Sequence, residues 1–198
     1  MQSAAILAGG HATRFGGLDK SALIVEGRTI LDRQLAELSA LTTDLLIVGG
    51  RGATPGATPP ARTVADIVPE CGPLGGLHTA LTAARGDAVF VVACDMPYIT
   101  SAFAQYLLDL TAHADIVVPE TEHGYHPLCA VYARACLERV ARRLADRRLK
   151  MMDLVLELRA RVVTVEDINR FGDRHRLLAN VNTPAEHAGL EALQGHKL

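Results

Sequence analysis

Short apolar runs alternate with helical segments along this chain, which is the pattern of an α/β protein. Nearly continuous apolar runs, bounded by polar residues or glycine, are typical of strands buried on both faces of a parallel sheet. We predict strands at residues 5–8, 44–48, 62–66, 88–94, 114–119 and 161–165, and one more at the end of the segment 123–132.

The helical segments carry apolar residues at a spacing of three to four. Leu31, Leu35 and Leu38 predict a helix that ends near Thr42. Further helices are predicted at residues 74–84, 100–112 and 150–158, and from 184 onward. The alternation predicts a mostly parallel sheet covered by helices on both faces, which is a three-layer α/β/α structure. We expect residues 1–198 to form a single domain.

A basic region surrounds one further predicted helix. The apolar positions of this helix are Leu137, Val140, Ala141 and Leu144. The arginines expected on its other faces are Arg139, Arg142, Arg143 and Arg147. Residues 134–161 contain nine Lys or Arg and four Asp or Glu. This excess indicates either a solvated helix face or a surface for an anionic substrate, and Arg147 and Arg148 are the candidates for a phosphorylated partner.

Composition narrows the class of protein. The formal net charge of −2 argues against a general nucleic-acid-binding protein, which usually carries a basic domain. No apolar run reaches the roughly 18 residues that span a bilayer, and the N-terminus lacks the pattern of a signal peptide. The four cysteines form no C-x-x-C pair, so reduced and unligated thiols are expected. These features predict a soluble cytoplasmic protein without nucleic-acid or membrane partners.

The stretch after the first predicted strand combines glycine with positive charge. Its members are Gly9, Gly10, Arg14, Gly16, Gly17 and Lys20. Backbone N–H groups of glycine can approach an anion closely, and the two cations can neutralise a triphosphate. The stretch therefore predicts a phosphate-binding loop, with a glycine-rich turn and two solvated cations as the alternative.

Two common phosphate-binding motifs do not fit this stretch. The Walker motif requires Gly-Lys-Ser/Thr, whereas Lys20 follows Asp19. The dinucleotide fingerprint requires G-x-G-x-x-G, and the four glycines do not have that spacing. A P-loop NTPase and a Rossmann dehydrogenase are both disfavoured.

Asp95 follows the most apolar predicted strand, residues 88–94. A carboxylate at the carboxyl end of a central parallel strand faces the crevice in which open α/β sheets bind ligands. Mg²⁺ usually takes one or two carboxylates together with substrate phosphates, so we interpret Asp95 as a magnesium ligand. Capping of the following turn is the alternative. His123 and His126 have no third ligand at suitable spacing, which disfavours zinc.

The segment from Leu7 to Lys20 resembles the signature loop L-A-G/A-G-x-x-x-R-x-G-x-x-K of nucleotidyltransferases, and most closely that of the molybdenum cofactor guanylyltransferase family. Later segments resemble further motifs of that family in the same order. They are Gly72-Pro73-Leu74-Gly75-Gly76, Cys94-Asp95-Met96-Pro97, His126-Pro127-Leu128 and Asn180-Val181-Asn182-Thr183-Pro184. The resemblance covers nearly the whole chain and implies a Rossmann-like nucleotidyltransferase fold.

The resemblance also implies a reaction, in which GMP passes from GTP to the terminal phosphate of molybdopterin and pyrophosphate is released. Mg²⁺ is the implied cofactor, and enzymes that carry or receive the molybdenum cofactor are further implied partners. The implied catalytic residues are Lys20, Arg14 and Asp95. The implied nucleotide contacts are Leu7, Ala8, Gly9, Gly10, Lys20, Asp66 and Asp95. The residues expected on the molybdopterin side are His126, Arg147, Arg148, Asn180 and Asn182, with ordinary turn chemistry as the alternative for the two asparagines.

Two positions on the nucleotide side differ from the patterns of related enzymes. The family usually has an asparagine just after the second strand, where this chain has Gly49, so backbone atoms or Arg51 are expected to replace that contact. Pyrimidine-using relatives generally read Leu-Ala-Ala-Gly where this chain has a glycine at position 9, and we expect the missing methyl group to leave room for a purine. The alternatives are a cytidylyltransferase acting on molybdopterin or a sugar alcohol phosphate, and a non-catalytic protein that binds a nucleotide or pterin.

Overall fold

A computed structural model describes residues 1–9, 23–49 and 61–181. The strands are β1 (Gln2–Leu7), β2 (Ile24–Val25), β3 (Arg28–Thr29), β4 (Leu45–Val48), β5 (Arg62–Val64), β6 (Ala88–Ala93), β7 (Ile116–Thr121), β8 (Gly124–Tyr125), β9 (Cys129–Ala133) and β10 (Ala160–Val163). The helices are α1 (Ile30–Ser39), α2 (Gly72–Ala83), α3 (Ser101–Asp109), α4 (Leu137–Ala145), α5 (Met151–Glu157), α6 (Val165–Asn169) and α7 (Arg174–Leu177).

The main sheet has the strand order β10-β7-β9-β6-β1-β4-β5, with β8 paired to β7. β1 is central and pairs in parallel with β4 and β6, so that Ile6 lies opposite Ile47 and Val92. β9 runs antiparallel to β6 and to β7. The carboxyl ends of β1, β4, β5, β6 and β7 and the amino end of β9 therefore meet at one edge, which we call the carboxyl edge.

Helices cover both faces of this sheet. Side chains that alternate along β1 point to opposite faces. Ala5 and Leu7 belong to the core formed with α2, α4 and α5, while Ala4 and Ile6 belong to the core formed with α1, α3, α6 and α7. The predicted three-layer α/β/α fold with a mostly parallel sheet is confirmed.

Some elements differ from the sequence-based expectation. Helices α6 and α7 were not predicted, because elements of five and four residues are too short to show an apolar period. The β2–β3 hairpin lies where no strand was predicted and has two residues in each strand. The helix expected from 184 lies outside the described residues. Among the helices in the described ranges, none combines the length and apolar character needed to cross a bilayer.

Arg143 was expected on a polar face of α4, and this expectation is wrong. Its side chain is only 2% exposed, and its Nη1 donates to Oε1 of Glu157 on α5 at 2.7 Å. Arg148 also pairs with Glu157, and Arg159 pairs with Asp115 at 2.8 Å. Much of the basic excess in this region therefore stabilises contacts between elements of the fold, a role that neither sequence interpretation included.

Asp44 fastens the edge of the sheet opposite the carboxyl edge. Its buried carboxylate accepts hydrogen bonds from Ser3 Oγ and Arg62 Nη2, both at 2.6 Å, and from the backbone N–H of Arg85 at 2.8 Å. Burial opposes the charge, but these hydrogen bonds together outweigh it and hold the pKa of Asp44 below its ordinary value. Three segments of the chain therefore depend on one ionised side chain.

We expect Asp44→Asn to lower the free energy of unfolding by about 2 kcal/mol at neutral pH, because an amide leaves donors around it unpaired. The folded-state pKa lies below the unfolded value of about 3.9, so the stabilisation is complete above that value and is lost as the pH falls through the folded pKa. Urea unfolding at neutral pH and near pH 3 measures both proteins. A difference that stays constant with pH would contradict the role of the charge.

Candidate active site

The ends of β1, β4 and β5 bring Gly9, Gly49 and Asp66 into contact at the carboxyl edge. A Cβ atom on Gly9 would lie 3.0 Å from Oδ2 of Asp66 and 3.3 Å from Cα of Gly49. The expectation that the missing methyl group at Gly9 leaves room for a purine is therefore wrong in its mechanism. The space beside Gly9 is filled by the protein itself, so glycine here allows Asp66 to approach.

Gly49 has a structural reason to be glycine. Its φ of +76° lies in the left-handed region, and a Cβ atom would lie 2.7 Å from Cα of Gly9 and 2.9 Å from Oδ2 of Asp66. An asparagine at this position would collide with both neighbours. The carboxylate of Asp66 thus occupies the place where the side chain expected from the family resemblance would begin.

Asp66 presents an acceptor atom to which no described residue donates. Its Oδ1 is buried and has no hydrogen-bond partner among the described residues, and burial raises the pKa of this carboxyl group. The next residue, Ile67, is held by α2, because its backbone N–H donates to Oγ1 of Thr79 on that helix at 3.0 Å. Thr79 was not predicted from the sequence, although a polar residue on the buried face of a helix could have indicated it. An N–H group of a bound molecule would satisfy the unpaired oxygen of Asp66.

Asp95 lies beside this cluster, just after β6. The N–H of Cys94 donates to the carbonyl of Leu7 at 3.2 Å, which holds the end of β6 against the end of β1. The N–H of Val181 donates to the carbonyl of Asp95 at 2.7 Å, so the exposed Asn180 is also close. The structure therefore gathers Leu7, Ala8, Gly9, Asp66, Asp95 and Asn180 at one edge.

The single carboxylate of Asp95 suits a metal ion that takes most of its ligands from water and substrate. Within the described ranges, no group of three or more His, Cys, Asp or Glu side chains forms a metal cage. One half-buried carboxylate at the carboxyl edge fits Mg²⁺, which is commonly bound through one or two carboxylates, waters and substrate phosphates.

His126 reaches the same edge from the amino end of β9. Its ring Nε2 is 2.9 Å from Oγ1 of Thr121. The backbone N–H of His126 donates to the carbonyl of Pro119 at 2.9 Å. Burial lowers the pKa of His126 below its ordinary value, so the ring is uncharged at neutral pH. His126 can therefore shape a pocket or form a hydrogen bond but does not supply positive charge there.

The side chains of Arg147 and Arg148, which follow α4, contact different parts of the fold. Nη1 of Arg147 is 3.6 Å from Sγ of Cys71, the residue that precedes α2 near the carboxyl edge. Arg148 instead pairs with Glu157 on α5. Arg147 is thus held near the candidate site, whereas Arg148 contributes to the contact between α4 and α5.

Some residues expected at the site lie in parts of the chain that the structure does not describe. They are Gly10, Arg14, Lys20, Arg51 and Asn182. Their roles stay predictions from the sequence.

Comparison with known proteins identifies the family. A family model described as a MobA-like NTP transferase domain matches residues 4–162. The chain belongs to this family. It is 32% identical over 194 residues to the molybdenum cofactor guanylyltransferase of Desulfosudis oleivorans, covering 94% of this chain and 93% of that relative. This member of the MobA-like family is therefore a nucleotidyltransferase.

Solved structures share the MobA-like fold. Molybdopterin-guanine dinucleotide biosynthesis protein A from Archaeoglobus fulgidus has a TM-score of 0.78 at 23% identity, covering 98% of this chain and 99% of that chain. A 2-C-methyl-D-erythritol 4-phosphate cytidylyltransferase from Thermus thermophilus has a TM-score of 0.70 at 17% identity, with 98% and 100% covered. A Mycobacterium tuberculosis protein in complex with manganese has a TM-score of 0.61 at 19% identity, with 83% and 88% covered. Because a cytidylyltransferase has the same fold, the fold does not determine which base is used.

Proposed function

We propose that this nucleotidyltransferase transfers GMP from GTP to the terminal phosphate of molybdopterin, with Mg²⁺ as its metal ion. The observation that carries the proposal is the cluster of Gly9, Gly49 and Asp66 beside Asp95, in a chain whose relatives are named molybdenum cofactor guanylyltransferases. This cluster lies where open α/β sheets bind nucleotides.

The unpaired oxygen of Asp66 favours guanine over cytosine. The N1–H and the 2-amino group of guanine are adjacent donors, and a carboxylate can accept from both. Cytosine presents one amino donor beside the acceptors N3 and O2, so a carboxylate facing that edge would meet an acceptor. A buried acceptor that lacks a donor is costly, and the penalty would fall on the wrong base.

The chemistry requires positioning more than a protein nucleophile. A phosphate monoester such as molybdopterin is largely dianionic at neutral pH and can itself attack the α-phosphorus of GTP. Asp95 would hold Mg²⁺, which supplies charge neutralisation for the triphosphate when bound. Lys20 and Arg14 would hold phosphate oxygens, and the backbone of Leu7 to Gly10 would border the base.

On the acceptor side, we assign His126, Asn180, Asn182 and Arg147 to the molybdopterin pocket. Asn180 adjoins the segment bonded to Asp95, and His126 lies at the same edge of the sheet. Because His126 is uncharged, Arg147 is the described residue best suited to attract an anionic acceptor.

The test is direct. Purified protein is incubated with Mg²⁺, GTP and molybdopterin, and pyrophosphate and the guanine dinucleotide are measured. Formation of both supports the proposal. A cytosine dinucleotide formed from CTP would favour the cytidylyltransferase, and tight nucleotide binding without any product would favour a non-catalytic binding protein.

We expect Arg147→Ala to raise the KM for molybdopterin about tenfold, the effect of losing one charge-assisted contact, and to change the KM for GTP much less. Arg148→Ala is the matched control, because it removes the neighbouring charge from an exposed pair with Glu157. Steady-state kinetics with each substrate varied separately measures both variants. If both variants raised the KM for molybdopterin equally, or if Arg147→Ala raised the KM for both substrates equally, Arg147 would not be a specific contact for molybdopterin.

A further inference from the structure

A glutamine lies on the otherwise apolar face of α1. Gln34 is 1% exposed and shares the buried face of α1 with Ile30, Leu35 and Leu38. Its Nε2 donates to the carbonyl of Ala93 at 2.8 Å and to the carbonyl of Met96 at 3.0 Å. These two carbonyls flank Cys94 and Asp95, so one amide group spans the turn that carries the candidate metal ligand.

The rest of the Gln34 side chain does not improve the stability of the helix. Its Oε1 is buried and has no hydrogen-bond partner in the described part of the chain. An unpaired buried acceptor is costly, and a methionine of similar size would avoid it on this face. What a methionine would lose is the pair of donors that hold the turn.

Other groups donate to two further carbonyls of this turn. Nε of Arg33, the neighbour of Gln34 on α1, donates to the carbonyl of Pro97 at 3.2 Å. The N–H of Val181 donates to the carbonyl of Asp95 at 2.7 Å. The exit from β6 is therefore fixed on one side by α1 and on the other by the segment after α7.

We propose that Gln34 is a positioning residue for Asp95, which it holds in place by fixing the backbone on both sides of it. Mg²⁺ demands near-ideal octahedral geometry, and displacement of a reacting group by about 1 Å can cost about a hundredfold in rate. The proposal rests on the proposed function for the role of Asp95, while the restraint on the turn is a property of the fold alone.

The experiment compares Gln34→Met with Leu38→Val, a matched control that weakens packing on the same buried face of α1 without removing a hydrogen bond from the turn. Hydrogen exchange of the backbone N–H groups of Cys94, Asp95, Met96 and Tyr98 is measured in both proteins. We expect exchange to rise at least about tenfold in Gln34→Met and to stay unchanged in Leu38→Val, relative to amides in β1. If Gln34→Met does not fold, Gln34→Leu takes its place.

Enzyme kinetics forms the second arm. In Gln34→Met, the Mg²⁺ concentration that gives half-maximal turnover should rise at least about tenfold, and the KM for GTP at saturating Mg²⁺ should change far less. Mn²⁺ binding in the presence of GTP, followed by electron paramagnetic resonance, should weaken in parallel. Unchanged exchange at 94–98, or a loss of turnover equal to that in Leu38→Val with no change in metal dependence, would overturn the proposal. If the wild-type protein shows no turnover, the proposed function fails, whereas the exchange arm still decides whether Gln34 restrains the turn.

Discussion

Asp95→Asn is expected to reduce turnover at least about a thousandfold and to leave the fold intact. The two side chains are nearly equal in size, but the amide lacks the negative charge that a hard cation requires. The backbone of this turn is held by Gln34 and Val181 through carbonyl groups, and the substitution leaves these backbone contacts in place. Pyrophosphate release at saturating GTP and Mg²⁺ measures the effect, and circular dichroism checks the fold.

Asp87→Asn is the matched control for Asp95→Asn. Asp87 precedes the same strand at its other end, and its side chain is 97% exposed. It should retain wild-type turnover, because it lies at the edge opposite the candidate site. Comparable turnover in the Asp95 variant and the wild type would show that Asp95 is not the proposed metal ligand.

Much of the fold was predictable because its core strands are short apolar runs. Residues 88–94 were predicted as the most apolar strand, and β6 (Ala88–Ala93) lies near the centre of the sheet, beside β1. The hairpin β2–β3 and the helices α6 and α7 were not predictable in this way. They are too short for a period to appear, and tertiary contacts select them.

The candidate site was predictable where its residues follow strands. Asp66 and Asp95 each come after a predicted strand, and the parallel sheet brings such positions to one edge. The reason that Gly49 is glycine was not predictable, because it depends on close approach of three separate strand ends. Gln34 and Thr79 were missed because their partners are backbone groups, so the signal in the sequence is no more than a polar residue on an apolar helix face.

The roles of the charged residues were also only partly predictable from the sequence. A count of charges in the basic region suggested either a solvated face or a substrate surface. The structure instead pairs Arg143 and Arg148 with Glu157, and Arg159 with Asp115. A charge count does not distinguish a cation used within the fold from one offered to a ligand, and this is why the kinetic contrast between Arg147 and Arg148 is informative.

GTP is expected to be preferred over CTP by at least about a hundredfold in kcat/KM, because the buried Oδ1 of the half-buried Asp66 would be left facing an acceptor if cytosine were bound. Asp66→Asn should reduce this preference at least about tenfold, since an amide can turn either a donor or an acceptor toward the base. Glu70→Gln is the matched control, because it changes an exposed carboxylate in the same loop and should leave the preference unchanged.

Gly9→Ala should also weaken the preference for GTP over CTP, through steric displacement of Asp66. The new methyl group would lie 3.0 Å from Oδ2 of Asp66 and 3.3 Å from Cα of Gly49, so the carboxylate must move away from its present position. The added methyl group and the altered carboxylate charge are separate changes, yet both act on the carboxyl group proposed to read the base. We therefore expect Gly9→Ala to add little further loss of preference in an Asp66→Asn background, where that group no longer selects guanine. Independent, additive losses would show that Gly9 acts on the nucleotide directly, and use of CTP as readily as GTP by the wild-type protein would replace the guanylyltransferase with the cytidylyltransferase.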